Sequence, residues 1–118
     1  MTWFGTELVV PLPVVVEVDH LVRSRISSSA ARAFLESLVR HEHSIAHLSD
    51  ALMGRAVAFD ARFADLQLGF VDTAVMAVAE TLDLPILTFD FTHFRATAPD
   101  RGHWRLVVDE ARYRAAVS

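Results

Sequence analysis

The fold is decided in residues 8–21, which read LVVPLPVVVEVDHL. The β-branched run at the start of this stretch is stopped by Pro11, which predicts a short buried strand. Pro13 suits the first position of a helix because its missing N–H would have no partner there, and we expect that helix over residues 14–23. The stretch therefore predicts a strand that leads directly into a helix.

The same alternation of strands and helices continues along the chain. Apolar periodicity predicts three further helices, over residues 30–40, 50–65 and 70–82. Ser28 or Ser29 is expected to cap the first of them, and Ser49 the second. Short runs rich in apolar residues predict strands at residues 44–48, 85–89 and 104–108. A short turn of helix is expected over residues 91–94. Strands separated by long helices require crossover connections, so we predict an α/β fold with a mostly parallel sheet.

Composition excludes several classes of protein. With 118 residues, 53% of them apolar and 22% charged, the chain has the balance of one globular domain. It contains no cysteine, and all eleven basic residues are arginine, which excludes disulfides, thiolate chemistry, phosphate-binding lysines and Schiff bases. The longest uncharged stretch, residues 8–16, is far shorter than the roughly 20 apolar residues of a membrane span. We expect a cytoplasmic protein with no membrane association.

Three carboxylates stand where apolar or neutral residues are expected. Glu17 interrupts the most hydrophobic helix, Asp72 lies at a helix entrance, and Asp90 ends an apolar strand. Converging acids repel one another unless a hard cation lies between them, and Mg²⁺ or Mn²⁺ would relieve that repulsion. Simpler roles remain open, because Asp72 can complement a helix N-terminus and Asp90 can cap the turn after its strand.

Other polar residues are weaker candidates. The histidines at 41, 43 and 47 lack the His-Glu-x-x-His spacing of a zinc site and cross a helix-to-strand boundary, which favours a solvent-facing edge. His20 and His93 are close in sequence to Glu17 and Asp90 and could support them. Arginines at 95, 101 and 105 could contact an RNA backbone, although a solvated surface explains them as well. No serine lies in a Gly-x-Ser-x-Gly motif.

Three blocks of the sequence, residues 8–21, 68–80 and 86–94, together resemble the PIN-domain family in order and spacing, most closely the VapC-type toxins of bacterial toxin–antitoxin pairs. The similarity runs over residues 8–108. It implies a PIN-like three-layer α/β/α fold and a Mg²⁺- or Mn²⁺-dependent endoribonuclease that hydrolyses RNA phosphodiester bonds. It also implies a VapB-like antitoxin as partner, which would insert an apolar helix beside the acids.

Carried over position by position, the resemblance makes Glu17, Asp72 and Asp90 the catalytic and metal-binding acids. Thr88 would orient the site by hydrogen bonding. RNA-binding residues are not assigned.

One departure from the family pattern concerns the first strand. The family begins with a strand that ends in an Asp and is followed by helices, and residues 1–7 offer no counterpart. We therefore expect residues 1–118 to form one PIN-like domain without those elements, and the exposed strand edges favour a homodimer. Two alternatives stay open. One is an inactive PIN remnant that binds an antitoxin or itself, and the other is an unrelated α/β domain in which the three acids never meet.

Overall fold

The structure, a computed structural model, describes residues 2–4, 7–88, 91–107 and 115–116. Its elements follow one another in the order β1 (Thr2–Phe4), β2 (Glu7–Pro11), α1 (Leu12–Arg25), α2 (Ser28–Val39), β3 (Ser44–Ala46), α3 (Asp50–Arg62), a 3₁₀ turn (Ala64–Leu66), α4 (Phe70–Leu82) and α5 (Phe91–Ala96). Helices make up most of the described chain, and the expected mixture of helices with a parallel sheet is confirmed.

The sheet joins three strands in the order β1-β2-β3. β2 and β3 are parallel, with Val10 opposite Ile45, so the connection through α1 and α2 is the predicted crossover. β1 pairs antiparallel to β2 and was not predicted. The strands expected over residues 85–89 and 104–108 reduce, in the part that the structure describes, to one parallel bridge between Ile86 and Leu106. The ends of both runs, at 89 and 108, lie outside the described residues.

Local sequence explains where the helices begin. α1 starts two residues earlier than predicted and carries Pro13 in its first turn. The cap of α2 is Ser27 rather than Ser28 or Ser29, because its hydroxyl accepts the Ala30 N–H at 3.0 Å. Ser49 caps α3 as expected. That helix ends at Arg62 instead of residue 65, and the chain tightens there into the 3₁₀ turn.

α4 forms the centre of the core. Its bounds are those predicted, and seven consecutive residues, Thr73 to Ala79, are buried. A helix that is buried around its whole circumference must pack against other elements on several sides, and α4 packs against both α1 and α3. Its partners in the core include Val10 from β2, Phe59 from α3 and Ile86. No helix within the described ranges is long and apolar enough to cross a membrane.

Candidate functional site

Two of the predicted acids reach one cavity from different helices. Glu17 lies in the second turn of α1, the helix that directly follows β2, and Asp72 lies in the first turn of α4. Both line a cavity of about 390 Å³. Thr88, two residues beyond the bridge at Ile86, lines it as well. α/β folds place their ligands at the carboxyl ends of parallel strands, and this cavity is lined by α1, the helix that follows β2, and by the two residues that follow the bridge at Ile86.

Apolar side chains form the rest of the cavity wall. They come from α1, α4, α5 and the segment around Ile86, and include Val14, Val18, Val75, Ile86 and Phe94. Among the described residues that line the cavity, only Glu17 and Asp72 carry charge. Glu17 is exposed and 29% of the Asp72 side chain is exposed, so a cation from solvent can reach both carboxylates.

His93 is the neighbour of Asp72 that sequence spacing assigned to Asp90 instead. Its Nδ1 contacts Asp72 Oδ2, and about 30% of each side chain is exposed. α5 places His93 against the start of α4, 21 residues away in the chain. The contact between His93 and Asp72 was not predicted from the sequence, and the expected support of Asp90 by His93 stays a prediction because Asp90 lies outside the described residues.

The third predicted acid, Asp90, lies outside the described residues, so its position relative to Glu17 and Asp72 stays a prediction. No group of three or more His, Asp or Glu side chains suited to a metal ion occurs within residues 2–4, 7–88, 91–107 and 115–116. The described part of the site therefore supplies two carboxylates and a threonine.

The remaining candidates from the sequence have other surroundings. His43 Nδ1 accepts the Leu8 N–H at 3.0 Å, so this side chain supports the start of β2. His20 is exposed on α1. Arg105 donates to the Asp83 carboxylate at 2.9 Å and belongs to the surface. Of the three histidines at 41, 43 and 47, His43 therefore forms a structural hydrogen bond. This agrees with the sequence, which gave little support for a zinc site at these residues.

The donor chemistry fits a hard divalent cation. Mg²⁺ and Mn²⁺ prefer carboxylate, hydroxyl and water oxygens, and Glu17, Asp72 and Thr88 offer the first two. The contact from His93 gives Asp72 a defined orientation, as a hydrogen-bonding partner does for a metal-binding carboxylate. The absence of cysteine agrees with an oxygen-ligand site.

Comparison with known proteins agrees with this fold. The chain is 32% identical to ribonuclease VapC26 of Mycobacterium tuberculosis (strain ATCC 25618 / H37Rv) over 96 residues, which are 80% of this chain and 71% of that protein. The crystal structure of Mycobacterium tuberculosis VapC20, a Sarcin-Ricin loop cleaving toxin, superposes with a TM-score of 0.68 at 19% identity. That match covers 83% of this chain and 76% of VapC20. No protein-family model matches the chain.

The parallel pair of β2 and β3 with its helical crossover, together with the VapC26 and VapC20 matches, identifies the class as PIN-domain proteins. The chain belongs to the VapC family of that class, the ribonuclease toxins of VapBC toxin–antitoxin pairs. The resemblance seen in the sequence is confirmed.

Proposed function

We propose that this chain is a Mg²⁺- or Mn²⁺-dependent endoribonuclease that acts in the cytoplasm as the toxin of a toxin–antitoxin pair. The observation that carries the proposal is that Glu17 and Asp72, from two separate helices, line one cavity that Thr88 also lines. Two accessible carboxylates and a hydroxyl at one cavity supply the oxygen donors that a hard divalent cation prefers.

In this proposal the acids have the role of holding the cation. Glu17 and Asp72 supply carboxylate oxygens, and Asp90 is proposed as the third acid from the sequence pattern. A divalent cation held there supplies positive charge that polarises a water molecule and offsets the charge that develops on the scissile phosphate. His93 holds the Asp72 carboxylate in position, and Thr88 orients the site by hydrogen bonding.

The substrate is RNA, and the charge of the chain affects how RNA would be bound. The net charge is −4, so general attraction to phosphates is weak. The contact with the scissile phosphate must therefore be made locally, by the cation and nearby donors. We expect cleavage to depend more steeply on divalent cation than on the concentration of monovalent salt.

The test is cleavage of a mixed RNA pool with Mn²⁺, run beside Asp72→Asn and a chelator. We expect cleavage by the unaltered chain, no cleavage with chelator, and a loss of about a hundredfold or more in Asp72→Asn. Asp65→Asn is the matched control, because Asp65 is exposed on the 3₁₀ turn away from the cavity, and it should retain full activity.

Three outcomes separate the alternatives. Cleavage that survives the chelator contradicts the proposal. Failure to bind Mn²⁺, while a partner protein is still bound, favours the inactive PIN remnant. If Asp72→Asn and Asp65→Asn lose activity equally, the Asp72 carboxylate has no special role in cleavage, and the proposed site is wrong.

The partners follow from the family and are proposals for this chain. We propose a VapB-like antitoxin and a homodimer. Several large apolar side chains are exposed, among them Val16 at 66% and Phe70 at 47%, and exposed apolar surface of this kind is typical of proteins that associate.

Light scattering should give twice the 13.1 kDa chain mass, and a chain that stays monomeric at micromolar concentration contradicts the dimer. Co-expression with a VapB-like antitoxin should suppress RNA cleavage.

A further inference from the structure

We propose that Trp104 is a positioning residue for the cavity, acting through Thr97 to hold His93 against Asp72. The inference rests on the proposed function, since it concerns how the metal-binding side of the cavity is ordered. It adds to that function a residue that lies outside the cavity wall.

Two hydrogen bonds join Trp104 to the helix that carries His93. The indole Nε1 of Trp104 donates to Thr97 Oγ1 at 2.9 Å, and the Thr97 hydroxyl donates to the His93 carbonyl oxygen at 2.8 Å. Because the indole N–H is a donor only, it occupies the acceptor side of the hydroxyl and directs the hydroxyl proton toward His93. The chain of donors therefore has one direction, from Trp104 to α5.

This pair of hydrogen bonds lies at the end of α5. Thr97 directly follows Ala96, the last residue of the helix, and its hydrogen bond to the His93 carbonyl spans the last helical turn. A helix this short is marginal by itself and depends on tertiary contacts. Thr97 is 8% exposed, so its hydrogen bonds are largely shielded from competing water.

Ring packing fixes Trp104 itself. Its ring meets Phe94 edge to face at 6.4 Å between centroids, and it lies 5.7 Å from the ring of Phe59 in the core. Phe94 is the neighbour of His93 on α5 and also lines the cavity with Asp72. Trp104 therefore contacts α5 through its ring and, by way of Thr97, through its N–H. Both contacts fix the position of His93 on α5 relative to Asp72.

The experiment compares three variants with the unaltered chain. Trp104→Phe keeps an aromatic ring and removes the donor. Thr97→Val keeps the shape and removes the hydroxyl, whereas Thr97→Ser restores a hydroxyl. Ser37→Ala is the matched control, because it removes a similar hydroxyl-to-carbonyl hydrogen bond (2.6 Å, to Phe34) in α2, far from the cavity.

Two readouts are measured besides RNA cleavage. The first is the dissociation constant for Mn²⁺ alone, measured by electron paramagnetic resonance. The second is the set of ring nitrogen and carbon signals of His93 in NMR spectra at one fixed pH without metal. Circular dichroism and the melting temperature confirm that each variant is folded.

We expect Trp104→Phe and Thr97→Val to move the His93 ring signals and to weaken Mn²⁺ binding by roughly fivefold, the factor that corresponds to one hydrogen bond of about 1 kcal/mol. Thr97→Ser should return both readouts to within about twofold of the unaltered chain, and Ser37→Ala should leave both unchanged while lowering the melting temperature by a similar amount. A purely structural role predicts the loss of stability without the other two changes.

The outcomes distinguish this inference from the proposed function. If the unaltered chain neither binds Mn²⁺ nor cleaves RNA, the proposed function fails, and the His93 signals still decide the positioning role. If those signals stay in place in folded Thr97→Val, the inference is overturned even when RNA cleavage is intact. If Trp104→Phe does not fold, the pair Thr97→Val and Thr97→Ser carries the decision.

Discussion

Replacing Glu80 by Gln tests how the segment after α5 is fixed to the core. Glu80, near the end of α4, accepts hydrogen bonds from Arg55 Nε at 3.0 Å and Nη2 at 2.7 Å, and its second oxygen accepts the Asp100 backbone N–H at 2.9 Å. Arg55 also reaches the Asp100 carboxylate at 3.1 Å and lies 5.0 Å above the Phe59 ring. One carboxylate therefore joins α3, α4 and the segment that leads to Trp104.

The size of the effect follows from the exposure of these groups. A hydrogen bond to a charged group is worth about 1.5–3 kcal/mol when it is well shielded. Here 35% of the Arg55 side chain, 20% of Glu80 and 63% of Asp100 are exposed, so water and salt reduce that value. Gln keeps the shape but turns an N–H group toward one of the donors. We expect a loss of about 2 kcal/mol in the free energy of unfolding, or about 8 °C in melting temperature.

The assay is urea unfolding followed by circular dichroism, with Glu36→Gln as the matched control. Glu36 faces Arg40 at 3.8 Å with both side chains more than half exposed, so the same chemical change should cost less than about 0.5 kcal/mol there. The difference between the two variants should shrink in 1 M NaCl. Equal stability of Glu80→Gln and Glu36→Gln would refute the reasoning, because it would mean that the Glu80 contacts contribute no more than a surface pair.

Three further predictions concern stability. Phe59→Ala should cost about 3–5 kcal/mol in urea unfolding, because Phe59 is 1% exposed and packs against Trp104; a cost below 1.5 kcal/mol would contradict that packing. Ser27→Ala should cost about 1 kcal/mol, measured as a melting shift, since it removes the cap of α2, and an unchanged melting temperature would argue against the cap. Arg23, hydrogen-bonded to Asp19, holds the pKa of Asp19 below its ordinary value of 3.8. A lowered folded-state pKa stabilises the protein above pH 3.8 and loses that effect as the pH falls through the folded value, so Asp19→Asn should differ from the unaltered chain at pH 6 and converge with it in acid.

Local signals predicted the helices better than the strands. The bounds of α4 were predicted correctly because two sequence signals agree, the apolar periodicity of residues 70–82 and the acid Asp72 in the first turn. The antiparallel β1 was missed because three residues carry too little periodicity to indicate a strand. The run at 85–89 was predicted as a strand from its apolar character, but a ladder also needs a partner in register, and only Ile86 pairs within the described residues. Pairing is a property of two segments, so one segment cannot predict it.

The site shows the same division. Glu17 was singled out because a charge in a hydrophobic helix requires a reason, and the structure brings it to the cavity of Asp72. The contact between His93 and Asp72 could not be derived from spacing, since it depends on how α5 is held relative to α4. The role of Asp90 stays a prediction from the sequence pattern. Residue type and local setting thus indicated the acids, whereas the neighbours that orient them depend on tertiary packing.

The burial of α4 has a consequence for how the cavity opens. Amide hydrogens within Thr73 to Ala79 can reach solvent only when their surroundings come apart, so their exchange should follow the opening of the whole molecule. α5 is six residues long, and its opening requires far fewer contacts to break. Asp72 directly precedes this buried segment in the same helix, whereas His93 lies in a segment that should open earlier. Local opening would separate the two by releasing the histidine, while the carboxylate keeps its place.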